Sequence, residues 1–458
     1  MSKNINRKEF LKKTTALGLG AAIYPRFKSN IKDKDKVRIG FIGTGLRGQW
    51  LLDLASKRDD VLIPAICDID NQMIERTLKI LKRNNKDTPE IYKNGDEDFI
   101  NLVNRDDIDA VIVATPWEWH HPMAVAAMKS GKHVGLEVPA AITVEECWDL
   151  VNVSEQTSME CMILENVCYY RPTMALLNMV REGVFGELLH CQCGYQHDLR
   201  EVKFNDGKQA YGGGVEFGEK GFSESEWRTQ HSIERNGDLY PTHGVGPISA
   251  MLNINRGNKF EYLTSTATKS RGLHNYILKH GGEAHPNSNI DFKLGDIITT
   301  VIKCYNGETI VVSHDTNNPR PYSLNFRVQG TKGIWMGDNY SIYLEDKSPK
   351  PHEWEPFDGY LQKYDHSLWK DFENDADGAG HGGIDFFIMR AFIESIKREV
   401  KPPLDVYDAV SMSVISPLSE KSIANGSSSV EFPDFTRGAW KNNKPIFCLL
   451  YTSPSPRD

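Results

Sequence analysis

Short apolar runs alternate with helical patterns over the first third of the chain. The first run is Val37–Ile42, and further strands are predicted at 61–67, 108–114, 133–136 and 161–164. A helical pattern follows the first run at Trp50, Leu51 and Leu54, and a capping box at Thr143 starts another helix. Strands that alternate with helices predict a doubly wound parallel sheet in an α/β domain.

The pattern changes after residue 181. Residues 188–197 alternate as in a strand, which places Tyr195 and His197 on one face. A hairpin is predicted from 297–305 and 308–314 around the Asn306-Gly307 turn, with a further strand at 323–329. Helices are predicted at 384–397 and 405–421. We therefore expect a second, α+β domain whose mainly antiparallel sheet has helices on one side and covers the crevice of the first domain.

The first strand leads directly into a glycine motif, Gly43-Thr44-Gly45-Leu46-Arg47-Gly48. A GxGxxG sequence between a strand and a helix is typical of a Rossmann dinucleotide-binding domain. Gly43 permits the tight turn, Gly45 lets the backbone approach the pyrophosphate, and Gly48 lets the helix pack closely. Asp68 follows Gly48 by 20 residues, where an acid accepts hydrogen bonds from the ribose and repels a 2′-phosphate. The motif therefore favours NAD over NADP.

Polar residues follow the other predicted strands of this sheet. Residues 115–120, Glu137-Val138 and Glu165-Asn166 each come directly after a strand. Ligands of open α/β sheets bind at the carboxyl ends of the strands. These residues are therefore expected around one crevice.

Composition and charge exclude several classes of protein. The 458 residues are 40% hydrophobic and 25% charged, as in ordinary globular proteins. The net charge of -8 gives no general attraction to nucleic acid, and no apolar run approaches the ~20 residues of a membrane span. The eight cysteines form no paired CxxC set, which favours buried free thiols. His120-His121 lacks partners at a metal-binding spacing, so no metal is expected.

The two ends differ in character from the rest. A basic start at Arg7-Lys8, a mild apolar stretch and small residues resemble a twin-arginine export signal with Arg-Lys in place of Arg-Arg, which predicts a periplasmic protein. A plain amphipathic helix, and a cytoplasmic protein, is the alternative. Composition changes abruptly at the other end, where we expect a non-native tail. The predicted division is 1–35 signal and linker, 36–166 Rossmann domain, 167–447 substrate and catalytic domain, and 448–458 tail.

The position of Glu137-Val138-Pro139 after a strand resembles the glucose-fructose oxidoreductase/inositol dehydrogenase superfamily. Members of that superfamily usually carry Glu-Lys-Pro, whose lysine assists proton transfer at the hydroxyl being oxidised. They also tend to carry an Asp four residues before a catalytic His. Here Val138 replaces the lysine, and Leu239 stands four residues before the candidate His243. Both departures argue against a simple sugar dehydrogenase.

Dispersed segments resemble one branch instead, the glycosyl hydrolases of family 109, which are bacterial NAD-dependent α-N-acetylgalactosaminidases. The resembling segments are 164–169, 193–200, 214–220, 227–229, 240–244, 314–316, 320–322 and 378–383. The resemblance implies a glycan substrate with terminal α-linked N-acetylgalactosamine (α-GalNAc). The natural glycan and the oligomeric state, a homo-oligomer included, stay open.

The resemblance also implies site residues. It implies NAD contacts from Leu46, Arg47, Asp68, Trp117, Glu118, Trp119, His120, Glu137, Val138, Asn166 and Tyr240. It implies sugar contacts from Tyr195, Arg228, Tyr240, Pro241, Thr242, His243 and Tyr322. Glu165, Tyr195, His197 and His243 match positions near the chemistry.

The chemistry implied by the resemblance is an exception to the usual glycosidase mechanism with two carboxylates. The sugar is oxidised at C3, which acidifies the C2 proton. The C1 leaving group is then eliminated, water adds at C1, and the hydride returns to C3. Our hypothesis is that Tyr195 or His243 transfers the C2 and C3 protons. Glu165 and His197 would then tune these groups or relay their protons.

Alternatives remain for single residues and for the whole protein. His197 is equally typical of a histidine with a structural role, Glu165 of a solvated strand end, and Trp117 and Trp119 of packing aromatics. His243 is also typical of a helix start after Pro241, and His381 has no assigned role. Alternative functions are an NAD-dependent sugar dehydrogenase with net NADH release and a non-catalytic NAD-sugar sensor. The missing lysine argues against the first, and the filled polar positions argue against the second.

Overall fold

The computed structural model describes residues 36–209 and 212–447. The predicted export signal and linker at 1–35 and the predicted tail at 448–458 lie outside these residues. No helix in the described ranges is long and apolar enough to cross a membrane. The described cysteines are buried and free, as expected from their spacing.

A parallel sheet forms the first unit, in the order β4-β3-β1-β5-β6-β7, with β2 paired to β1. Its strands are β1 (Val37–Ile42), β2 (Val61–Leu62), β3 (Ala65–Cys67), β4 (Glu90–Tyr92), β5 (Ala110–Val113), β6 (His133–Leu136) and β7 (Cys161–Ile163). The helices between them are α1 (Leu46–Ser56), α2 (Asn71–Arg83), α3 (Phe99–Val103), α4 (Trp117–Lys129) and α5 (Val144–Thr157). Strands β5, β6 and β7 are buried along their whole length, as expected when helices cover both faces. The predicted Rossmann sheet is confirmed.

The predicted strand at 61–67 is wrong in one respect, because it forms two short strands. Pro64 lies between β2 and β3 and has no backbone N–H for a ladder hydrogen bond. Its carbonyl instead accepts a hydrogen bond from Glu90 N at 2.9 Å, at the start of β4. The break leaves β3 paired between β1 and β4, so that Asp68 still follows at the carboxyl end.

The second unit is built on a mixed, mostly antiparallel sheet in the order β15-β14-β13-β12-β8-β11-β10-β9-β16. Its strands are β8 (Leu188–Gln196), β9 (Phe260–Ala267), β10 (Ile298–Cys304), β11 (Thr309–Asp315), β12 (Arg327–Gly330), β13 (Gly333–Met336), β14 (Ser341–Leu344), β15 (Glu355–Pro356) and β16 (Val430–Glu431). Strands β8 and β11 pair in parallel. The predicted hairpin is confirmed as β10–β11, with Gly307 at a φ of 111° in its turn.

The remaining helices flank this sheet and return to the first one. They are α6 (Arg171–Arg181), α7 (Arg200–Lys203), α8 (Arg228–Glu234), α9 (Thr242–Met251), α10 (Gly272–Gly281), α11 (Asp358–Tyr364), α12 (Ser367–Ala376), α13 (Ile384–Lys397), α14 (Val406–Ser413) and α15 (Ile415–Ala424). Helix α13 has the predicted bounds and packs on α1 and β1 of the first sheet. Its ion pairs Glu394–Arg58 and Lys397–Asp60, at 2.8 and 2.5 Å, fasten the two units together.

Two further predictions need correction. The helix predicted at 405–421 is two helices, because Pro417 lies in the first turn of α15 and cannot donate a backbone hydrogen bond to the preceding turn. The strand predicted at 323–329 begins only at Arg327. Asn325 has a φ of 49°, outside the extended region, and before it Ser323 makes an isolated bridge with Gln196.

Candidate active site

A crevice of about 1050 Å³ separates the two units at the carboxyl ends of the parallel strands. Most of the predicted cofactor residues and four of the predicted residues of the second unit line it together. These are Gly43, Gly45, Leu46, Arg47, Asp68, Trp117, Trp119, His120, Glu137, Val138 and Asn166, with Tyr195, Tyr240 and His243 opposite and Arg228 at the side. The second unit therefore covers the crevice, and its sheet contributes Tyr195 from β8.

The glycine loop has the shape that a dinucleotide requires. A Cβ atom on Gly43, whose φ is 84°, would lie 2.5 Å from the carbonyl oxygen of Ala114. A Cβ atom on Gly48 would lie 2.0 Å from the carbonyl oxygen of Gly43, so both positions exclude a side chain. A Cβ atom on Gly45 would meet no atom within 4 Å, and Gly45 lines the crevice. The open backbone at the start of α1 fits the diphosphate of a dinucleotide.

Asp68 lies at the end of β3 and supports this loop. Its Oδ2 accepts a hydrogen bond from the backbone N–H of Thr44 at 2.5 Å, and its Oδ1 accepts one from Asp70 N at 2.8 Å. The carboxylate also lines the crevice. Asp68 is therefore held in place by the backbone at the position where it would accept the ribose hydroxyls of NAD.

Arg47 connects the glycine loop to two carboxylates. Its Nε donates to Glu137 at 2.6 Å and its NH1 donates to Asp385 at 3.0 Å. Burial disfavours the charged guanidinium, but the two carboxylates outweigh it and raise the pKa of Arg47 above its ordinary value. Asn166 donates to the other oxygen of Asp385 at 2.7 Å. Asp385 belongs to a helix that sequence reasoning did not connect to the cofactor.

An aromatic wall closes the crevice on the side of α4. Trp117 stacks on Tyr240 with ring centroids 5.7 Å apart, and Arg228 lies over both rings at 5.2 and 5.0 Å. Trp119 packs edge-on against Phe99 at 6.4 Å. Both tryptophans therefore pack and line the crevice at the same time. Arg228 also pairs with Glu224, a crevice residue that the sequence analysis missed although it precedes Arg228 by four residues.

His243 lines the crevice and pairs with Glu165, which is buried behind it. His243 Nδ1 lies 2.8 and 2.9 Å from the two oxygens of Glu165. The Glu165 side chain has no exposed surface, so the alternative of a solvated strand end is wrong. Glu165 Oε1 also accepts from Val167 N at 3.1 Å, in the 3-10 turn after β7. Helix α9 begins at Thr242, which places His243 in its first turn.

Tyr195 and His197 form a second pair beside the first. The Tyr195 hydroxyl lies 3.0 Å from His197 Nδ1, which confirms that the two side chains share one face. The Tyr195 ring lies edge-on to His243 at 5.2 Å. Burial raises the pKa of Tyr195 to about 12, against the opposing charge of Arg228. Burial, and then Arg228, lower the pKa of His197. Tyr322 lies edge-on to the His197 ring at 5.0 Å and is half-exposed.

Some predicted residues have supporting positions. Pro241 and Thr242 are buried at the start of α9, and Gly48 lies beneath the loop. The Glu118 carboxylate lies 3.6 Å from His231 Nε2 rather than on the crevice lining. The His120 ring lies between the carbonyl oxygens of Pro139 and Thr115, at 2.7 and 2.8 Å, and burial lowers its pKa. Within 36–209 and 212–447 no cluster of three or more His, Cys, Asp or Glu could hold a metal ion.

The fold and the crevice define a two-unit protein whose Rossmann unit binds NAD. Residues 37–164 match the oxidoreductase family with an NAD-binding Rossmann fold, and residues 169–442 match the C-terminal domain of glycosyl hydrolase 109. The chain belongs to glycosyl hydrolase family 109. The resemblance predicted from dispersed segments is confirmed.

Curated relatives support the same family over nearly the whole chain. The chain is 52% identical to an alpha-N-acetylgalactosaminidase of Tannerella forsythia, over 97% of this chain and 99% of that protein. It is 51% identical to a glycosyl hydrolase family 109 protein of Parabacteroides distasonis, over 97% and 99%.

Solved structures share the fold at low identity. A levoglucosan dehydrogenase in complex with NADH and levoglucosan has a TM-score of 0.64 at 18% identity, covering 87% of this chain and all of that chain. An NAD-binding oxidoreductase of Klebsiella pneumoniae has a TM-score of 0.66 at 16% identity, with the same coverage. Both are similar in architecture, which fits the confirmed α/β plus α+β organisation.

Proposed function

We propose that this protein hydrolyses terminal α-linked GalNAc from glycans with the help of NAD. The observation that carries the proposal is the arrangement of two hydrogen-bonded pairs, Glu165–His243 and Tyr195–His197, at one end of the NAD crevice. The relative from Tannerella forsythia, named an alpha-N-acetylgalactosaminidase, supports the choice of sugar and linkage.

NAD, when bound, supplies a reversible hydride acceptor for a carbon of the sugar. The protein must then move three protons: one from the hydroxyl being oxidised, one from the neighbouring carbon, and one to the leaving oxygen. Positioned acid and base groups typically contribute ~10²–10⁴-fold each to such steps. The two pairs provide the groups for this work.

The Glu165 carboxylate orients His243 for proton transfer. Because Glu165 accepts the hydrogen bond at Nδ1, the other ring nitrogen, Nε2, is left for a substrate proton. The buried carboxylate stabilises the ring when it gains that proton, as in other carboxylate–histidine pairs. His243 therefore has the arrangement of a general acid or base.

Tyr195 is placed to relay a proton to His197. With its pKa at about 12 the phenol stays protonated at neutral pH, so it needs a partner to act as a base. His197, whose pKa is lowered, is neutral and hydrogen-bonded to the same hydroxyl. A proton leaving the sugar through Tyr195 can pass to His197 Nδ1 along this hydrogen bond.

Arg228, Tyr240 and Tyr322 are suited to hold a neutral sugar. The Arg228 guanidinium is buried and charged, because the opposite charge of Glu224 outweighs the effect of burial and raises its pKa. It lies against the faces of Trp117 and Tyr240, which keeps it rigid while it donates hydrogen bonds. A planar donor set of this kind fits the carbonyl and hydroxyl oxygens of an N-acetylated sugar.

A glycoside panel with the NAD-loaded protein tests the proposal. We expect phenol release from an aryl α-GalNAc glycoside, slower release from the α-galactoside, and none from the β-GalNAc glycoside. Free GalNAc is expected to give no accumulation of NADH. Stoichiometric NADH from the free sugar without glycoside cleavage would identify a net dehydrogenase instead. Sugar binding without either product would identify an NAD-sugar sensor.

We further propose that the protein is exported to the periplasm by a twin-arginine route. Support comes from Arg7-Lys8 and the apolar stretch after them, which lie outside the described residues. A route that carries folded proteins would let NAD be loaded in the cytoplasm. Fractionation of cells that express the full chain is expected to place it in the periplasm, and R7Q/K8Q in the cytoplasm. Equal distribution of the two forms would contradict this.

A further inference from the structure

A glycine-rich loop of the second unit lies against the first helix of the Rossmann unit. This loop, residues 378–383, connects α12 to α13. The indole N–H of Trp50, on α1, donates to the carbonyl of Ala379 at 3.2 Å. A Cβ atom on Gly380 would lie 2.3 Å from the Trp50 ring, so the loop approaches α1 as closely as a backbone can. Trp50 itself lines the NAD crevice.

His381 is the side chain that this loop presents to the crevice. Its backbone has a φ of 45°, which is uncommon for a residue other than glycine and is imposed by the surrounding turn. The side chain is 63% exposed and lines the crevice, while its Nδ1 lies 2.6 Å from Asp385 Oδ2. The loop therefore places an imidazole, held at one nitrogen, beside the glycine motif.

Asp385 holds His381 in this position. Its side chain has no exposed surface and joins His381, Arg47 and Asn166. Burial opposes its ionisation, but Arg47 and His381 outweigh burial and hold the pKa of Asp385 well below its usual range. A carboxylate in the first turn of α13 is also favoured by the helix dipole. His381 is thus positioned by a group that stays charged.

The same contacts limit what Arg47 can do for the cofactor. Its guanidinium is committed to Glu137 and Asp385, so the cationic group next to the glycine motif is already paired. A dinucleotide diphosphate is doubly anionic and binds best where a donor can supply positive charge. Because Asp385 holds the Nδ1 side of the His381 ring, Nε2 is the ring nitrogen left to meet an anion in the crevice.

We propose that His381 is a cofactor-binding residue that contacts the diphosphate of NAD and slows its release. The loop would then hold the diphosphate from the side opposite the glycine motif. This inference deepens the proposed function, because a cofactor that is regenerated in every turnover gains from slow release. It concerns NAD binding alone, so its tests need no glycoside.

The test compares H381N with a matched control, H352N. His352 is also an exposed histidine with a positive φ, 64°, and it does not line the crevice. Asparagine tolerates this backbone conformation and is too short to replace the imidazole contact. After prolonged dialysis we expect H381N to lose its NAD, while the wild-type protein and H352N retain it.

Affinities separate a diphosphate contact from a general disturbance of the crevice. Quenching of tryptophan fluorescence by added NAD, ADP-ribose and adenosine gives the three dissociation constants. For H381N we expect NAD and ADP-ribose to bind roughly tenfold more weakly, which corresponds to about 1.4 kcal/mol, and adenosine to bind unchanged. Equal melting temperatures of the NAD-free proteins would confirm that the fold is intact. If H381N does not fold, H381Q is measured in the same way.

Two results would overturn the inference. The first is that H381N retains NAD, and binds it, as well as the wild-type protein does. The other is a loss of adenosine affinity as large as that of NAD, which would mean that the loop only shapes the crevice. Absence of glycosidase activity in the wild-type protein would contradict the proposed function and leave this inference standing.

Discussion

His243 Nδ1 lies 2.8 Å from Oε1 of Glu165, a carboxylate with no exposed surface. The two residues are separated by 78 positions: Glu165 caps the 3-10 turn after β7, and His243 lies at the start of α9. The pair thus joins the Rossmann unit to the second unit, and its His243 lines the crevice. Its charge and orientation are the basis of the first prediction.

Replacing Glu165 with glutamine keeps the shape of the side chain and a hydrogen-bond acceptor but removes the charge. We expect E165Q to lower kcat by roughly 10²–10³-fold, because the imidazole loses the charge that stabilises its protonated form. KM and bound NAD should change little. Stopped assays of glycoside cleavage with parallel NAD analysis check this. H243A is expected to lose at least as much activity, and a fully active E165Q would remove the pair from the mechanism.

Tyr195→Phe removes only the hydroxyl that lies 3.0 Å from His197. We expect kcat to fall by roughly 10³-fold with NAD content unchanged, because the proton relay is broken. Tyr322→Phe is the comparison, since Tyr322 is half-exposed at the rim and touches His197 only through its ring. For Tyr322→Phe we expect a smaller loss of activity, mainly as a higher KM. Equal losses in the two variants would argue against a relay through Tyr195.

Arg228→Lys keeps the charge but loses the planar donor set and the contacts with Trp117 and Tyr240. A single hydrogen bond to a charged group contributes ~1.5–3 kcal/mol. We therefore expect KM for the glycoside to rise about 10- to 100-fold, with a smaller effect on kcat and none on NAD retention. Initial-rate kinetics separate the two constants. An unchanged KM would show that Arg228 serves packing alone.

Asp238 predicts a pH-dependent difference in stability. It is almost fully buried, and burial raises its pKa to about 7, against a weaker opposing effect of the Tyr240 backbone N–H. A carboxyl with a raised pKa in the folded state is protonated in both states below about pH 4. As pH rises from about 4 toward 7, the carboxyl ionises in the unfolded state first, and the free energy of unfolding falls.

Asp238→Asn removes this ionisation. Relative to the wild-type protein, we expect the variant to gain about 2–3 kcal/mol of unfolding free energy between pH 5 and pH 8. Urea unfolding at the two pH values measures the difference, and other buried carboxyls cancel because both proteins contain them. A constant difference between the proteins at both pH values would contradict the assignment.

Local sequence patterns predict those parts of the site that depend on spacing along the chain. The GxGxxG motif fixes the turn, and period two places Tyr195 and His197 on one face, as the hydrogen bond between them confirms. The Asn306-Gly307 turn likewise predicts the β10–β11 hairpin. In each case the residues concerned are close in sequence, so that backbone geometry alone brings them together.

Contacts between distant segments could not be predicted in this way. Arg47 and Asp385 are 338 residues apart, and only the packing of α13 on α1 brings them together. Glu165 follows a strand and is typical of an exposed end, but helix α9 covers it. Residues 378–383 support the family resemblance, but no local pattern predicts that their loop packs on Trp50.

The most direct test of the central claim is cleavage of an aryl α-GalNAc glycoside by the NAD-loaded protein in deuterated water. Proton NMR of the released sugar reports deuterium at C2, while absorbance at 340 nm reports NADH. The account predicts phenol release, deuterium at C2 of the released GalNAc, and no net NADH. Phenol release with the C2 proton fully retained would contradict it, because direct hydrolysis at C1 would then explain the cleavage without NAD.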